Sequence, residues 1–356
     1  MTIHQRKDKF VQLGKFLGQF KRSGIEKVSD LEHNDPFFDR LQQRIVTASH
    51  HNGWFTQDNV LFALEQWAEA LTPTNLDTWL EPYQLQPSIA RNVGIIMAGN
   101  IPLVGFHDFV SVLLSGHTLQ VKQSSNDKFL LPIIADYLKT IAPHWKQAIQ
   151  FVGGDAESRL KDFDAVIATG SNNTARYFEY YFKGKPSIIR KNRNSVAILT
   201  GQESPEELAL LGEDIFRYFG LGCRNVSKLF VPKGYNFDAF FQAIYPWNSI
   251  IHQHKYANNY DYNKAVYLMS QFKLLDNGFL MLKEDQKFGS PIATLFYEHF
   301  EDKSQLGSYL EEQEDSIQCI VSKGLFKGDI PFGQTQHPKL WDYADGVDTL
   351  EFLAGL

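Results

Sequence analysis

Asn92-Val93-Gly94-Ile95-Ile96-Met97-Ala98-Gly99 is the stretch on which the fold turns. It is a short apolar run, rich in β-branched residues, that stops at a glycine. A run of this length and composition predicts a buried strand. The pattern then repeats. A helix is expected from about His107 to Leu114, Gly116 breaks it, and HTLQVKQ (117–123) is a second strand. Next come a helix near 127–140, the strand AIQFVGG (148–154), a helix near 155–161, the strand AVIATG (165–170) and a helix from about Thr174 to Phe182. SIIRKN (187–192) and SVAILTG (195–201) are two further strands. Strands alternating with helices build βαβ units and a mostly parallel sheet, with ligands at the carboxyl ends of the strands. The fold class is therefore α/β.

Working outward, residues 1–85 predict helices. Phe10, Leu13, Leu17 and Phe20 share one helical face. Thr56 reads as an N-cap before Val60, Leu64, Ala68 and Leu71, and Asn75 as the cap of a short helix before Pro82. Downstream, the polar break GQESPEE (201–207) marks a boundary. A second α/β region follows, with a helix to Tyr218, the turn GLGC (220–223), the strand VSKLFVP (226–232) and later IATLFYE (292–298). The expected organisation is a helical segment 1–85, a cofactor-binding domain 86–200, a catalytic domain 201–335 and a C-terminal segment 336–356.

Composition narrows the function. Hydrophobic residues make up 43% of 356, which permits a large core, and a net charge of −6 without a long basic run argues against nucleic acid as partner. The 28 phenylalanines are either core or the lining of an apolar substrate tunnel. No apolar run of about 18 residues predicts a membrane span. The first residues carry charges and no apolar signal core, so a cytoplasmic location is expected. Two cysteines, Cys223 and Cys319, make neither a disulfide framework nor a thiolate metal cage, and no metal site is expected.

Four positions have chemical potential, each with an ordinary structural alternative. Cys223 follows Gly220 and Gly222, where backbone permits close approach, with Arg224 beside it to favour thiolate; otherwise it is a small buried apolar residue. Asn100, after the first strand, is either an oxyanion donor or a turn asparagine. Gly170 and Ser171 lie between a strand and a helix, as a phosphate site or a simple cap. Lys122 ends a strand, either against a cofactor ribose or phosphate, or in solvent. Neither G-x-G-x-x-G nor a P-loop is present.

The order of these elements resembles the aldehyde-dehydrogenase superfamily over about residues 92–335. AGNIPL (98–103) is similar to its W-N-F-P motif, and SGHTLQVKQSS (115–125) to the turn and strand ending in K-P-S-E. Thr169-Gly170-Ser171 matches its T-G-S turn, and Gly220-Leu221-Gly222-Cys223 its G-Q-x-C nucleophile turn. Gln286-Lys287-Phe288-Gly289 weakly echoes E-x-F-G. AGNIPLVG, GSNNTARYF, RKNRNSVAIL, LGCRNVSKLFVP and DYADGVDTLEFL bring the chain nearest to the LuxC-type acyl-CoA reductases. The resemblance implies an aldehyde-dehydrogenase-like fold, with a Rossmann-like cofactor domain and an α/β catalytic domain.

It also implies reduction of a fatty acyl thioester to an aldehyde. Cys223 is the implied nucleophile and Asn100 the oxyanion donor. Lys122, Ser124, Ser125, Gly170, Ser171, Gln286 and Phe288 are the implied cofactor residues. Two departures matter. The glutamate of E-L-G-G-K, which activates hydrolytic water, corresponds to Arg190, which favours reduction over oxidation. The acid of K-P-S-E corresponds to Ser125, which permits NADPH, with NADH as second candidate; Gln286 replaces the acid of E-x-F-G. Acyl-CoA or an acyl-protein thioester is the implied substrate, an acyl-transferase or synthetase the implied partner, and a homo-oligomer the implied assembly. The competing readings are an acyl-phosphate reductase and a non-catalytic scaffold for an acyl-transferring partner.

Overall fold

A computed structural model describes residues 1–85, 87, 89–153 and 160–356. Residues 154–159 fall outside that description, and with them most of the helix expected near 155–161. The chain forms two compact units: Met1–Lys191 with Lys339–Leu356, and Asn192–Pro338. Among the described residues no helix is long and apolar enough to cross a membrane.

Unit 1 is built on five parallel strands, β1 (Asn92–Ile96), β2 (Thr118–Lys122), β3 (Ile149–Val152), β4 (Ala165–Thr169) and β5 (Ser187–Arg190). Their order is β3-β2-β1-β4-β5. The chain steps outward one way from β1 and then the other way from β4, as in Rossmann-like sheets. The crevice beyond the carboxyl ends of β1 and β4 is the topological switch point where such sheets take ligands.

Eight helices accompany this sheet among the described residues of the chain's first 191. α1 (Ile3–Leu17) starts with a Thr2–Gln5 capping box. α2 spans Asn34–His51, and α3 (Gln57–Ala70) is capped by Thr56 as expected. α4 (Pro73–Leu80) is capped by Thr72 instead of Asn75, because Pro73 pre-sets the first helical turn. α5 (Phe106–Ser115) is buried along nearly its whole length and stops at Gly116, whose φ of 91° terminates it cleanly. α6 (Leu130–Ile141), α7 (Trp145–Ala148) and α8 (Asn172–Tyr181) follow. Phe20 lies beyond the end of α1, in a two-residue strand, yet is fully buried.

Residues 1–85 and the C-terminal segment do not stand apart. Phe10, Phe16, Leu41, Leu64 and Trp79 share one continuous core with Val93, Ile95, Phe106, Phe109, Leu350 and Leu353. Phe10, Phe16, Phe20, Phe62, Phe106 and Phe109 are fully buried, so much of the phenylalanine content of this unit packs its core.

Unit 2 holds a six-stranded sheet of β6 (Asn194–Ile198), β7 (Val226–Pro232), β8 (Leu274–Asp276), β9 (Met281–Glu284), β10 (Thr294–Phe300) and β11 (Ile317–Val321). The order is β8-β9-β10-β7-β6-β11, parallel except for the edge pair β8–β9. Its main helices are α9 (Pro205–Phe216), α10 (Asp238–Ile244), α11 (His254–Met269) and α12 (Lys303–Glu312). The expected boundary at 200/201 is corrected to Lys191–Asn192, because β6 pairs with β7 and β11 in the second sheet. The polar run 201–207 is the start of α9: Ser204 caps it in a box with Glu207, and Pro205 opens it.

Candidate active site

In unit 1 the expected residues gather where three neighbouring strands end. Ile96 of β1 lies between Lys122 of β2 and Ala168 of β4, so the three chains leave the sheet side by side. The loop after β1 carries Asn100, exposed. The loop after β2 carries Lys122, Ser124 and Ser125, of which Lys122 and Ser125 are exposed. After β4 come Gly170 and Ser171, and the Ser171 side chain caps α8 by accepting from the Thr174 N–H at 3.3 Å. That leaves the α8 N-terminus at the switch point, with the partial positive charge that anions seek.

Glycine is required here by contact. A Cβ on Gly99 would lie 2.6 Å from Ser124 Cβ and 2.7 Å from Ser124 Oγ. A Cβ on Gly170 would lie 3.0 Å from Thr174 Cβ and 3.1 Å from the Phe178 ring. The loops after β1 and β2 are thus in van der Waals contact, and the turn into α8 has no room for a side chain.

Asp127, which the sequence reading did not single out, ties these loops together. Its buried carboxylate accepts from the Leu103 N–H at 3.1 Å. Leu103 has φ 57°, a left-handed conformation that a branched residue enters only when its surroundings impose it. Burial pushes the Asp127 carboxyl up to about 6. Arg190 is buried and forms an ion pair with Asp108 of α5. It also donates to Thr349 Oγ1 of the C-terminal helix at 3.0 Å. A guanidinium so placed is always protonated and cannot act as a base.

In unit 2 the two cysteines part company: Cys223 is exposed and Cys319 is buried. Cys223 sits in a turn before β7, at the amino ends of the parallel strands. The carboxyl-end rule therefore holds for the unit 1 loops and not for the cysteine. Arg224 directs a guanidinium nitrogen to Cys319 Sγ at 3.5 Å. The chain reaches the cysteine through three consecutive left-handed residues, Tyr218 (φ 54°), Phe219 (φ 60°) and Gly220 (φ 75°). Such a conformation costs about 1–2 kcal/mol for each non-glycine residue.

The turn is fastened on both sides of the cysteine. Ser195 Oγ donates to the Cys223 carbonyl at 2.9 Å. The buried Asn225 side chain accepts from the Gly222 N–H at 2.8 Å and donates to the Arg217 carbonyl at 2.8 Å. Each such bond contributes about 1 kcal/mol net, enough together to offset the left-handed run.

The Gln286–Gly289 loop is anchored beside this turn. Ser227 Oγ donates to the Phe288 carbonyl at 2.8 Å and lies 3.4 Å from the Ser195 carbonyl. Lys228, fully buried, donates to the Gln286 carbonyl at 2.9 Å and pairs with Glu298. Burial lowers the Lys228 pKa, against the opposing pull of Glu298. The Gln286 side chain is exposed and Phe288 is half-buried. Each unit thus gathers its own set of expected residues. Sequence reasoning missed Asp127, Ser195 and Lys228, whose partners lie 24 to 70 positions away, and Asn225, whose carboxamide closes a non-periodic turn.

Comparison with known proteins agrees with this geometry. The family profile described as acyl-CoA reductase (LuxC) matches residues 39–240. No curated protein matches the chain significantly. Among solved structures, aldehyde dehydrogenase 21 of Physcomitrella patens, in complex with its reaction product succinate, superposes with a TM-score of 0.67 at 11% identity. That superposition covers 100% of this chain and 84% of the other. An NAD-dependent aldehyde dehydrogenase of Sinorhizobium meliloti gives a TM-score of 0.61 at 14% identity, covering 91% and 71%. Aldehyde dehydrogenase C of Pseudomonas syringae, a mutant solved with NAD+ and octanal, gives 0.59 at 11%, covering 85% and 69%. The fold is that of the aldehyde dehydrogenases.

Proposed function

The chain belongs to the acyl-CoA reductase (LuxC) family, and from that premise we propose that it reduces a fatty acyl thioester, acyl-CoA in the first instance, to the aldehyde through an acyl-cysteine on Cys223. The observation that carries the reading is the cysteine turn. One cysteine is exposed on a tightly held, left-handed turn, while the other is buried.

The Cys223 thiolate attacks the thioester carbonyl carbon, forming a C–S bond. The Asn100 carboxamide donates to the oxyanion that develops. As the carbonyl re-forms, the bond to the departing sulfur breaks, and CoA leaves as a thiolate that takes a proton. Acyl-Cys223 remains. When bound, a reduced nicotinamide cofactor would supply a hydride to the acyl carbon, and the C–S bond to Cys223 then breaks, releasing aldehyde and returning Cys223 as thiolate. Hydrolysis of acyl-Cys223 lacks a base at the position of the dehydrogenase glutamate, because Arg190 is buried and paired with Asp108.

The residues present suit such a cofactor. Gly170 and Ser171, at the capped start of α8, would take the pyrophosphate. Lys122, Ser124 and Ser125 would face the adenosine ribose, and Gln286 and Phe288 the nicotinamide side. NADPH is proposed ahead of NADH because Ser125 brings no negative charge and Lys122 brings a positive one. An acyl-transferase or synthetase that hands over the acyl group is the partner this chemistry calls for.

The test is NADPH oxidation with acyl-CoAs of graded length and with acyl phosphates, alongside mass spectrometry of protein incubated with acyl-CoA alone. Turnover on acyl-CoA with an acyl adduct on Cys223 is expected. Turnover on acyl phosphates only, or an adduct on Cys319, would overturn the reading.

A further inference from the structure

We infer that Asn225 is the positioning residue for Cys223, an inference that rests on Cys223 being the nucleophile proposed above. Asn225 lies two residues beyond the cysteine, and its side chain is 2% exposed. Both ends of its carboxamide are spent on backbone. Oδ1 accepts from the N–H of Gly222, the residue before the cysteine, at 2.8 Å. Nδ2 faces the carbonyls of Asp214, Ile215 and Arg217 at 3.1, 3.4 and 2.8 Å. Asp214 and Ile215 belong to the last turn of α9, whose carbonyls have no partner within the helix. One side chain thus caps α9 and holds the cysteine turn to that cap.

What it bridges is the left-handed run Tyr218–Gly220, a conformation that needs an outside hold. The Cys223 carbonyl is independently taken by Ser195, so the peptide is fixed on both sides while the residue itself is exposed. Only a carboxamide offers an acceptor and two donors in one plane. An ionised aspartate would turn lone pairs on three carbonyls, and an alanine or leucine would leave them and the Gly222 N–H without this partner. Packing alone does not call for this residue, since an apolar side chain of equal volume would fill the space. The amide pattern is what the turn uses. Attack geometry is sensitive to misplacement by about 1 Å, which can lower turnover about a hundredfold.

The test compares full-length wild type, Asn225→Ala and Asn225→Asp in two assays. Steady-state reduction of acyl-CoA by NADPH gives kcat and KM. The rate of Cys223 alkylation by iodoacetamide, followed by peptide mass across neutral to alkaline pH, reads the thiol without any acyl substrate. Expected for Asn225→Ala are a kcat lowered by about tenfold or more with both KM values held within about threefold, and a displaced alkylation profile. Asn225→Asp should match it when ionised and return toward wild type at acidic pH, where the protonated carboxyl again offers a donor and an acceptor. A wild-type kcat and alkylation profile in both variants, or a rise in KM alone, overturns the inference. If the wild type does not reduce acyl-CoA, the alkylation arm still reads Asn225, so the two failures are distinct. If Asn225→Ala does not fold, Asn225→Asp and wild-type amide exchange decide, and a Gly222 N–H exchanging at the rate of a free loop overturns it.

Discussion

Replacing Asp127 by asparagine should make the stability of unit 1, taken relative to wild type, rise progressively as pH climbs from about 4 to about 6. Burial raises the Asp127 carboxyl from 3.8 to about 6. Below 3.8 the carboxyl is protonated in both folded and unfolded chains. Between 3.8 and about 6 the unfolded chain ionises first, so the folded state binds more protons and loses stability as pH rises. The loss is complete once pH passes the folded value. A carboxyl raised from 3.8 to about 6 by burial loses about 3 kcal/mol of stability over this range, at about 1.36 kcal/mol for each tenfold change in proton affinity. The carboxamide in the variant cannot ionise, and its carbonyl oxygen can still accept from the Leu103 N–H. Any fixed cost of the new amide group is a constant offset. Asp214, also pushed up to about 6 by burial, is common to both proteins and cancels in the difference. The assay is urea unfolding at a series of pH values, followed by tryptophan fluorescence. Of the six tryptophans only Trp247 lies in unit 2, so the signal reports unit 1. A difference between variant and wild type that stays flat from about pH 3.5 to about pH 7 would refute the reasoning, because the Asp127 carboxyl would then titrate alike in the folded and unfolded chains.

Cys223→Ser should abolish reduction while leaving the unfolding curve unchanged, because an exposed hydroxyl is a far poorer nucleophile; residual turnover near the wild-type rate would remove Cys223 from the mechanism. Asn100→Ala should lower kcat by about 100- to 1000-fold with little change in KM, the usual cost of losing an oxyanion donor. Steady-state kinetics with acyl-CoA would show it, and an unchanged kcat would return Asn100 to the role of a turn residue. Ser125→Glu should move preference from NADPH toward NADH, since a carboxylate would face about two negative charges on a 2′-phosphate. The kcat/KM ratio for the two cofactors is the measure, and a ratio unmoved by the substitution would place the phosphate elsewhere.

Much of the sheet of unit 1 was legible because its strands are short, apolar and cut by glycine. β1, β2 and β4 fall where NVGIIMAG, HTLQVKQ and AVIATG predict them. The loops that carry Asn100, Lys122 and Gly170 emerge side by side for the same reason, because a parallel sheet fixes where its loops leave. The boundary at 201 was misread for a physical reason: Ser204, Pro205 and Glu207 are polar because they start a helix, and helix caps and linkers use the same residues. Thr72 displaced Asn75 as a cap because a proline follows it. Asp127 and Asn225 were beyond reach of local reading. Asp127 binds a backbone N–H 24 positions away, and Asn225 closes onto a helix end 8 to 11 positions upstream. Neither partner leaves a periodic trace in the sequence. The left-handed run is equally silent, since Tyr218 and Phe219 are residues that favour no such conformation.

The chain leaves unit 1 at Lys191, builds the whole of unit 2, and returns at Lys339 to finish what it began. What it brings back is structural. Thr349 meets Arg190, the Leu353 carbonyl takes a ring nitrogen of His117 at 2.9 Å, and Tyr343 takes the Trp79 indole N–H at 2.8 Å. During synthesis the five-stranded sheet therefore emerges first but stays without these closing contacts until residues 343–353 have left the ribosome. The cysteine unit, contiguous in the chain, can complete itself earlier. A nascent chain stalled before Lys339 would hold a finished cysteine turn and an unfinished five-stranded sheet, so unit 1 closes only when residues 339–356 have joined it.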